Sequence, residues 1–396
     1  MLMSINTQGA GRGKKRSLFA SQLLPLAGIA LAAPLLAAFA AASAPAAAVT
    51  AATAKPARPN LVLITMDTTR ADHLGAWGYP YAHTPNLDAL AARGTRFVRC
   101  DTAAPITLPS HASILTGLFP PRHGVRDNGT FVLSPKVETL AERLAARGYD
   151  TAAVVSAVVL ARRQGLDQGF RVYDDDLGAG YTQGSLVSER TADATTAAAL
   201  KAMAGLKAPF FLWVHYYDPH EEYRPPTRFA DAARGPSRLY DGEIAFMDEQ
   251  IGELLKRLPA GTDVLAVGDH GEMLGEHGEA THGLLLYKAA RRVPLLFAGP
   301  DVPAGRVSDC LVRTVDIAPT LLGLAGAPVG KLGLDGRGLL PLAAGKDCSR
   351  ETYTESFLPF FAYKWYPLRS LGDDRFLYMK APKSSLYDLA GDPGET

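Results

Sequence analysis

An α/β fold with a mostly parallel central sheet sandwiched by helices, followed by a small C-terminal α+β subdomain, is predicted by three observations. Short apolar runs recur without polar interruption, as expected of strands covered on both faces: Leu61–Ile64, Ala152–Ser156, Phe210–Val214, Val264–Val267 and Val293–Phe297. Amphipathic helical patterns alternate with them, which is the layout of strands joined by crossover helices. Glycines close those patterns: Thr84–Arg93 ends at Gly94 and Val137–Arg147 at Gly148, where left-handed C-caps are expected. In such sheets ligands bind beyond the carboxyl ends of the strands. Asp67, Asp218 and the Asp269–His270 pair each follow a strand run, so they are expected to converge on one edge.

At 396 residues and 47% hydrophobic content, the chain can bury a large core. Its 41 basic and 40 acidic residues leave no global field, which argues against nucleic acid as a partner and makes any anion recognition local. Residues 1–48 read as a signal peptide: Arg12, Lys14, Lys15 and Arg16 precede an apolar stretch from Leu23 to Ala42, then Ala46-Ala47-Ala48. Export to a periplasm or the cell exterior is expected, with membrane contact only if this segment is retained. Residues 49–58 form an Ala/Pro-rich linker, 59–345 the main domain and 346–396 the C-terminal subdomain, whose strand-like runs are Arg369–Leu371 and Arg375–Met379. Phe357, Phe360, Phe361, Tyr363, Trp365 and Tyr366 are read as packing this subdomain on the main one, with a carbohydrate- or lipid-binding rim as the alternative. Cys100, Cys310 and Cys348 are too scattered for a disulfide framework or a metal site, and are read as small buried hydrophobes, with one disulfide as the alternative.

In Thr107-Leu108-Pro109-Ser110-His111, a threonine stands at or beside a helix N-cap, and Gly117 closes the helix. There its hydroxyl would meet unpaired N–H groups and the positive end of the helix, which favour an anionic tetrahedral ester. Asp67, Asp269 and His270 are donors suited to a divalent ion, and a cation beside Thr107 would lower its hydroxyl pKa enough to make an alkoxide nucleophile. Asp218, His220 and His282 would hold a second ion, giving a two-metal clamp. Five of the nine histidines fall between His215 and His282, a density that structural roles explain poorly. Of these, His215 is expected to pack behind the site, and His277 to contact substrate or cap its loop. His73 and His83 read as ordinary loop residues. Arg70, Arg122 and His123 are expected in loops facing the cleft, as candidate contacts to substrate oxygens.

Several motifs together carry a resemblance: Ile64-Thr65-Met66-Asp67 followed by Arg70-Ala71-Asp72-His73-Leu74-Gly75; Thr84-Pro85-Asn86-Leu87-Asp88; the Thr107-Leu108-Pro109-Ser110-His111 helix start; Asp218-Pro219-His220; Gly268-Asp269-His270-Gly271-Glu272; and the terminal Leu386-Tyr387-Asp388-Leu389. From about Asn60 onward the chain resembles the sulfatase family of the alkaline-phosphatase superfamily. The resemblance implies an alkaline-phosphatase-like fold and a metal-dependent ester hydrolase. Its departures are specific. Thr107 stands where standard sulfatases have a Cys or Ser matured to formylglycine, His111 replaces the motif's Arg, and Asp67-Thr68 replaces paired aspartates. Threonine cannot become formylglycine, so direct attack by a Thr107 alkoxide, through a covalent enzyme ester, is expected. Similarity to the superfamily's threonine-nucleophile phosphodiesterases implies metal ligands at Asp67, Thr107, Asp269 and His270, and at Asp218, His220 and His282. Asp and His donors suit zinc, so one or two zinc ions are expected, with calcium as the alternative if a single carboxylate-rich site forms. Sulfate, phosphate or phosphonate esters of small molecules, glycans or lipids are the expected substrates. The rival expectations are a phosphorus head-group transferase and an inactive metal-holding binding protein. The end at Gly394-Glu395-Thr396 comes where relatives continue, which implies a truncated subdomain.

Overall fold

A computed structural model describes residues 58–178, 189–346 and 348–396. The signal-peptide reading and nearly all of the linker lie outside them. Among the described residues no helix is long and apolar enough to cross a membrane.

The strands are β1 (Leu61–Met66), β2 (Thr95–Asp101), β3 (Asp150–Val154), β4 (Val172–Asp174), β5 (Phe210–Tyr216), β6 (Asp263–Gly268), β7 (Arg292–Ala298), β8 (Arg306–Arg313), β9 (Thr352–Ser356), β10 (Leu368–Gly372), β11 (Phe376–Lys380) and β12 (Ser385–Asp388). The helices are α1 (Pro85–Ala92), α2 (Thr107–Thr116), α3 (Pro120–His123), α4 (Leu140–Ala145), α5 (Ala192–Ala204), α6 (Thr227–Ala232), α7 (Arg238–Leu255), α8 (Lys288–Arg291), α9 (Ile317–Leu324), α10 (Leu340–Ala343) and α11 (Leu358–Tyr363). The eight-stranded sheet has the order β4-β3-β5-β1-β6-β7-β2-β8, mostly parallel, with β7 running against both its neighbours. A separate antiparallel sheet, β12-β11-β10-β9, forms the C-terminal subdomain.

β1 shows why the sequence folds this way. Its side chains alternate: Leu61 and Leu63 join the core under α2, α4 and α9, while Val62, Ile64 and Met66 join the core under α1, α5 and α7. All are fully buried, each contributing about 1.5–3 kcal/mol relative to exposure. Helix α7 turns Tyr240, Ile244, Met247, Ile251 and Leu254 inward at helical spacing. Helix α4 begins later than its apolar pattern suggests, because Thr139 and Glu142 form a reciprocal capping box.

Three local expectations are corrected. Gly94 does not adopt the left-handed cap; it is glycine because a Cβ there would lie 2.3 Å from the Phe297 carbonyl oxygen. Gly148 does adopt it, at φ 81°. His73 is a buried residue, its Nδ1 2.6 Å from Asp241 and its ring packed on Tyr79. Cys310 and Cys348 form a disulfide with Cα atoms 4.9 Å apart, brought together by β8 and the chain entering β9; only Cys100 stays a free, buried thiol.

Candidate active site

The β1, β5 and β6 strands end side by side, so Asp67 and Asp269 meet at the carboxyl edge of the sheet, and α2 lays Thr107 beside them. Thr107 is the first helical residue, with Ile106 as N-cap. The expected group of unpaired N–H donors is mostly spent. Leu108 N–H donates to Asn128 Oδ1 at 2.8 Å, Pro109 has none, and Ser110 N–H bonds the Ile106 carbonyl.

Asp67, Asp269 and His270 are fully buried and offer one ligand atom each, all within 4.8 Å of one another. The Nε2 of His270 lies 3.3 Å from Asp67 Oδ1, 3.5 Å from Asp269 Oδ2 and 3.4 Å from Thr107 Oγ1. Both Asp67 oxygens and Asp269 Oδ2 lack hydrogen-bond partners among the described residues. Burial raises the pKa of both carboxyls, and for Asp269 the charge of Asp67 adds to it; nearby His220, His111 and His282 only partly offset the rise at Asp67. Two desolvated acids facing each other with unsatisfied oxygens are costly unless a cation joins them. The donor set therefore fits a divalent metal.

Three histidines near this cluster are oriented by the same device. His270 Nδ1 is 3.0 Å from the Gly271 carbonyl, His220 Nδ1 is 2.7 Å from the Glu221 carbonyl, and His282 Nδ1 is 3.0 Å from Glu272 Oε1. Carbonyls and carboxylates only accept, so Nδ1 carries the proton and each Nε2 keeps its lone pair. The rings converge, with His270 and His282 centroids 4.5 Å apart and His220 and His282 5.1 Å apart. Burial disfavours a charged His282 ring, but the bond from Glu272 outweighs it and raises the pKa.

His111 and His215 differ. His111 Nδ1 donates to the Thr107 carbonyl at 2.8 Å, and its Nε2 is 3.0 Å from Thr65 Oγ1, which also accepts from the Trp213 indole at 3.0 Å. Both nitrogens are hydrogen-bonded, so His111 positions the Thr107 backbone, although a ring nitrogen also lies within 4.8 Å of ligand atoms of His215 and Asp269. Ser156 N–H donates to His215 Nδ1, which leaves the proton on Nε2, 3.3 Å from Asp67 Oδ2. His215 Nε2 thus lies against Asp67 with no hydrogen bond between them. Burial lowers both pKa values to about 3, with His215 adding to the effect at His111, so both rings are neutral.

Several expected contacts lie elsewhere. Asp218 is turned to the first turn of α5, where the Ala192 N–H bonds it; burial, with Glu189 adding, raises its pKa to about 7. It does not join His220 and His282, because the turn after β5 sends its side chain to the α5 side. His123 bonds Ser113 Oγ through Nε2 at 2.9 Å and receives the Val125 N–H at Nδ1, which fastens α3 to α2 and leaves no nitrogen for substrate. Arg70 is buried against Asp72 and Glu276, Arg122 pairs with Asp335, and His277 stacks on Tyr287 at 3.5 Å. Sequence reasoning assigned no role to Glu272, Thr65, Trp213 or Asn128. Of these, Thr65 and Glu272 carried a signal, their places in the Ile64–Asp67 and Gly268–Glu272 motifs. A cavity of about 210 Å³ opens beside Thr107, lined by Asn128, Ala157, Val158, Val159, Tyr217 and His220.

The sulfatase family model matches residues 59–327, and the model described as N-sulphoglucosamine sulphohydrolase, C-terminal, matches residues 275–396. Human arylsulfatase A is 31% identical over 72% of this chain and 68% of its own length. An ulvan-active sulfatase of Formosa agariphila is 28% identical over 86% of this chain and 76% of its own length. The crystal structure of phosphonate monoester hydrolase of Agrobacterium radiobacter superposes with a TM-score of 0.71 at 23% identity, covering 85% of this chain and 90% of that one, which shows the fold. Matched over both its main domain and its C-terminal sheet, the chain belongs to the sulfatase family of sulfuric and phosphoric ester hydrolases.

Proposed function

We propose that the protein hydrolyses a sulfate, phosphate or phosphonate ester by attack of Thr107, without formylglycine. The observation that carries this reading is the clustering of the unpartnered Asp67 oxygens and Asp269 Oδ2 with His270 Nε2, which lies 3.4 Å from the Thr107 hydroxyl. Asp67, Asp269 and His270 would hold a divalent cation, with His220 and His282 as donors for a second. When bound, such a cation supplies the positive charge that lowers the hydroxyl pKa and neutralises charge developing on the ester oxygens. Mixed carboxylate and imidazole donors favour zinc over calcium.

The chain's own residues do the rest. Thr107 Oγ1 forms a bond to the sulfur or phosphorus atom while the bond to the leaving oxygen breaks, and water then cleaves the enzyme ester. His111 holds the Thr107 backbone, Asn128 ties down the helix start, and the apolar wall of Ala157, Val158 and Val159 limits water beside the hydroxyl. A threonine hydroxyl cannot supply the geminal diol of formylglycine chemistry, which tilts the reading towards phosphate diesters and phosphonates. The Cys310–Cys348 bridge supports export to an oxidising compartment, in keeping with the N-terminal signal pattern.

The test is turnover of matched aryl sulfate, aryl phosphate diester and aryl phosphonate esters by zinc- and calcium-loaded protein, beside Thr107→Ala. Cleavage of any ester, reduced at least about several hundred-fold in the variant, is expected. A variant as fast as the parent, or no turnover of any ester, would sink the reading.

A further inference from the structure

The turn that leads from Asp67 away from β1 holds a conformation its sequence resists. Thr68 lies in the left-handed region at φ 47°. Among the described non-glycine residues in that region, Thr68, His277, Lys364 and Glu395, it alone is β-branched, the type of side chain for which the region is most crowded. A glycine would sit there at no steric cost. Thr68 is fully buried, and its Oγ1 has no hydrogen-bond partner among the described residues, so its own side chain does not hold the turn. The restraint comes from another element.

Tyr240, in the first turn of α7, supplies it. The side chain is 1% exposed, and its hydroxyl makes two bonds: it donates to the Thr68 carbonyl at 2.8 Å and accepts the Arg70 N–H at 2.9 Å. One phenol oxygen thus pins both ends of the segment from Thr68 to Arg70. The ring is itself fixed by edge contacts with His73 and Tyr223, at centroid distances of 5.0 Å and 5.4 Å. Within the turn, Thr69 Oγ1 donates to the Asp67 carbonyl at 3.1 Å. Gly268, at the end of β6, lets the turn approach closely, since a Cβ there would lie 2.7 Å from the Thr69 carbonyl oxygen.

The consequence falls on the acid pair. Burial raises the pKa of both Asp67 and Asp269, and among the groups that oppose the rise only the Thr68 N–H acts on both. One N–H can serve two facing acids only while the backbone at residue 68 is turned towards both. Relaxation of Thr68 to an ordinary φ would swing that N–H, and Asp67 with it, relative to the rest of the turn. We infer that the Tyr240 hydroxyl is a positioning clamp, holding Thr68 in its left-handed conformation and so fixing Asp67 opposite Asp269 and His270. What the clamp serves rests on the reading of Asp67 as a metal ligand; its grip on Thr68 does not.

Tyr240→Phe removes the hydroxyl and keeps the ring. Chelator competition on the full chain is expected to show zinc affinity about tenfold weaker in this variant than in the parent. In a Thr68→Gly background, where the left-handed turn needs no restraint, the same substitution is expected to weaken zinc affinity less than about threefold. Tyr79→Phe removes a hydroxyl that bonds Asp241, the next residue of α7, at 2.9 Å, and is expected to leave zinc affinity within about twofold, which separates the clamp from a general loosening of the helix. Crystal structures are expected to show Thr68 out of the left-handed region in Tyr240→Phe, and residue 68 still within it when Thr68→Gly is added. The inference is overturned if Tyr240→Phe leaves zinc affinity unchanged, if it weakens affinity equally in both backgrounds, if Tyr79→Phe weakens it as much, or if Thr68 keeps its φ in the Tyr240→Phe structure. A parent chain that binds neither zinc nor calcium would sink the metal reading alone, and the φ of Thr68 in the variant would then decide whether Tyr240 is the clamp.

Discussion

The ring of His111 donates from Nδ1 to the carbonyl oxygen of Thr107 at 2.8 Å, one turn back along the same helix, and is itself held by the Thr65 hydroxyl. A ring that is buried, neutral and doubly bonded fixes where the Thr107 hydroxyl sits. His111→Ala is therefore expected to lower kcat about 100-fold through misplacement of the nucleophile, with little change in KM. His111→Gln, whose amide can still donate to that carbonyl, should recover part of the loss. A rise in KM alone would assign His111 to substrate binding.

Glu272 is buried and bonds His282 Nδ1 at 3.0 Å, which aims the ring's other nitrogen at the cluster. Removing its charge leaves the imidazole less basic and less well oriented. Glu272→Gln is expected to weaken metal affinity about 10–100-fold, measured by chelator competition. Unchanged affinity would place His282 outside the metal site.

Asp263, at the start of β6, is buried with Oδ1 unpartnered, and burial, with Asp301 adding, raises its pKa from 3.8 to about 7. A carboxyl whose pKa is raised on folding destabilises the fold increasingly as pH rises from about 4 to about 7, and by a constant amount above. With solvent screening discounted, Asp263→Asn is expected to stabilise by about 1–2 kcal/mol at pH 8 and by almost nothing at pH 3.5. Chemical denaturation at the two pH values checks it; an equal effect at both would exclude titration as the cause.

The Cys310–Cys348 bridge closes a loop with a sequence separation of 38 between the main sheet and the C-terminal sheet. Cys348→Ser is expected to cost about 2–4 kcal/mol of unfolding free energy, with the parent falling to the same value in reductant. No response to reductant in the parent would mean that the thiols are unpaired.

Much of this was legible in the sequence because it depends on neighbours along the chain. Uninterrupted apolar runs located β1, β5, β6 and β7, since a strand covered on both faces can carry little else. The strand-end rule brought Asp67 and Asp269 together, since parallel neighbours must end on the same edge. The helix start at Thr107 was likewise local.

What only the tertiary structure decided is which way side chains turn once the backbone is placed, and what meets them across long separations. Asp218 ends its strand as expected yet turns to α5. His123 and Arg70 stand in the right loops, but Ser113, Asp72 and Glu276 already occupy them. Thr65 and Trp213 bear on Thr107 only because β1, β5 and α2 stack. Cys310 meets Cys348 only when the second sheet docks. Spacing constrains the backbone path, whereas hydrogen-bond partners are chosen by burial, which forces each polar atom to bond whatever folding brings within 3 Å or so of it.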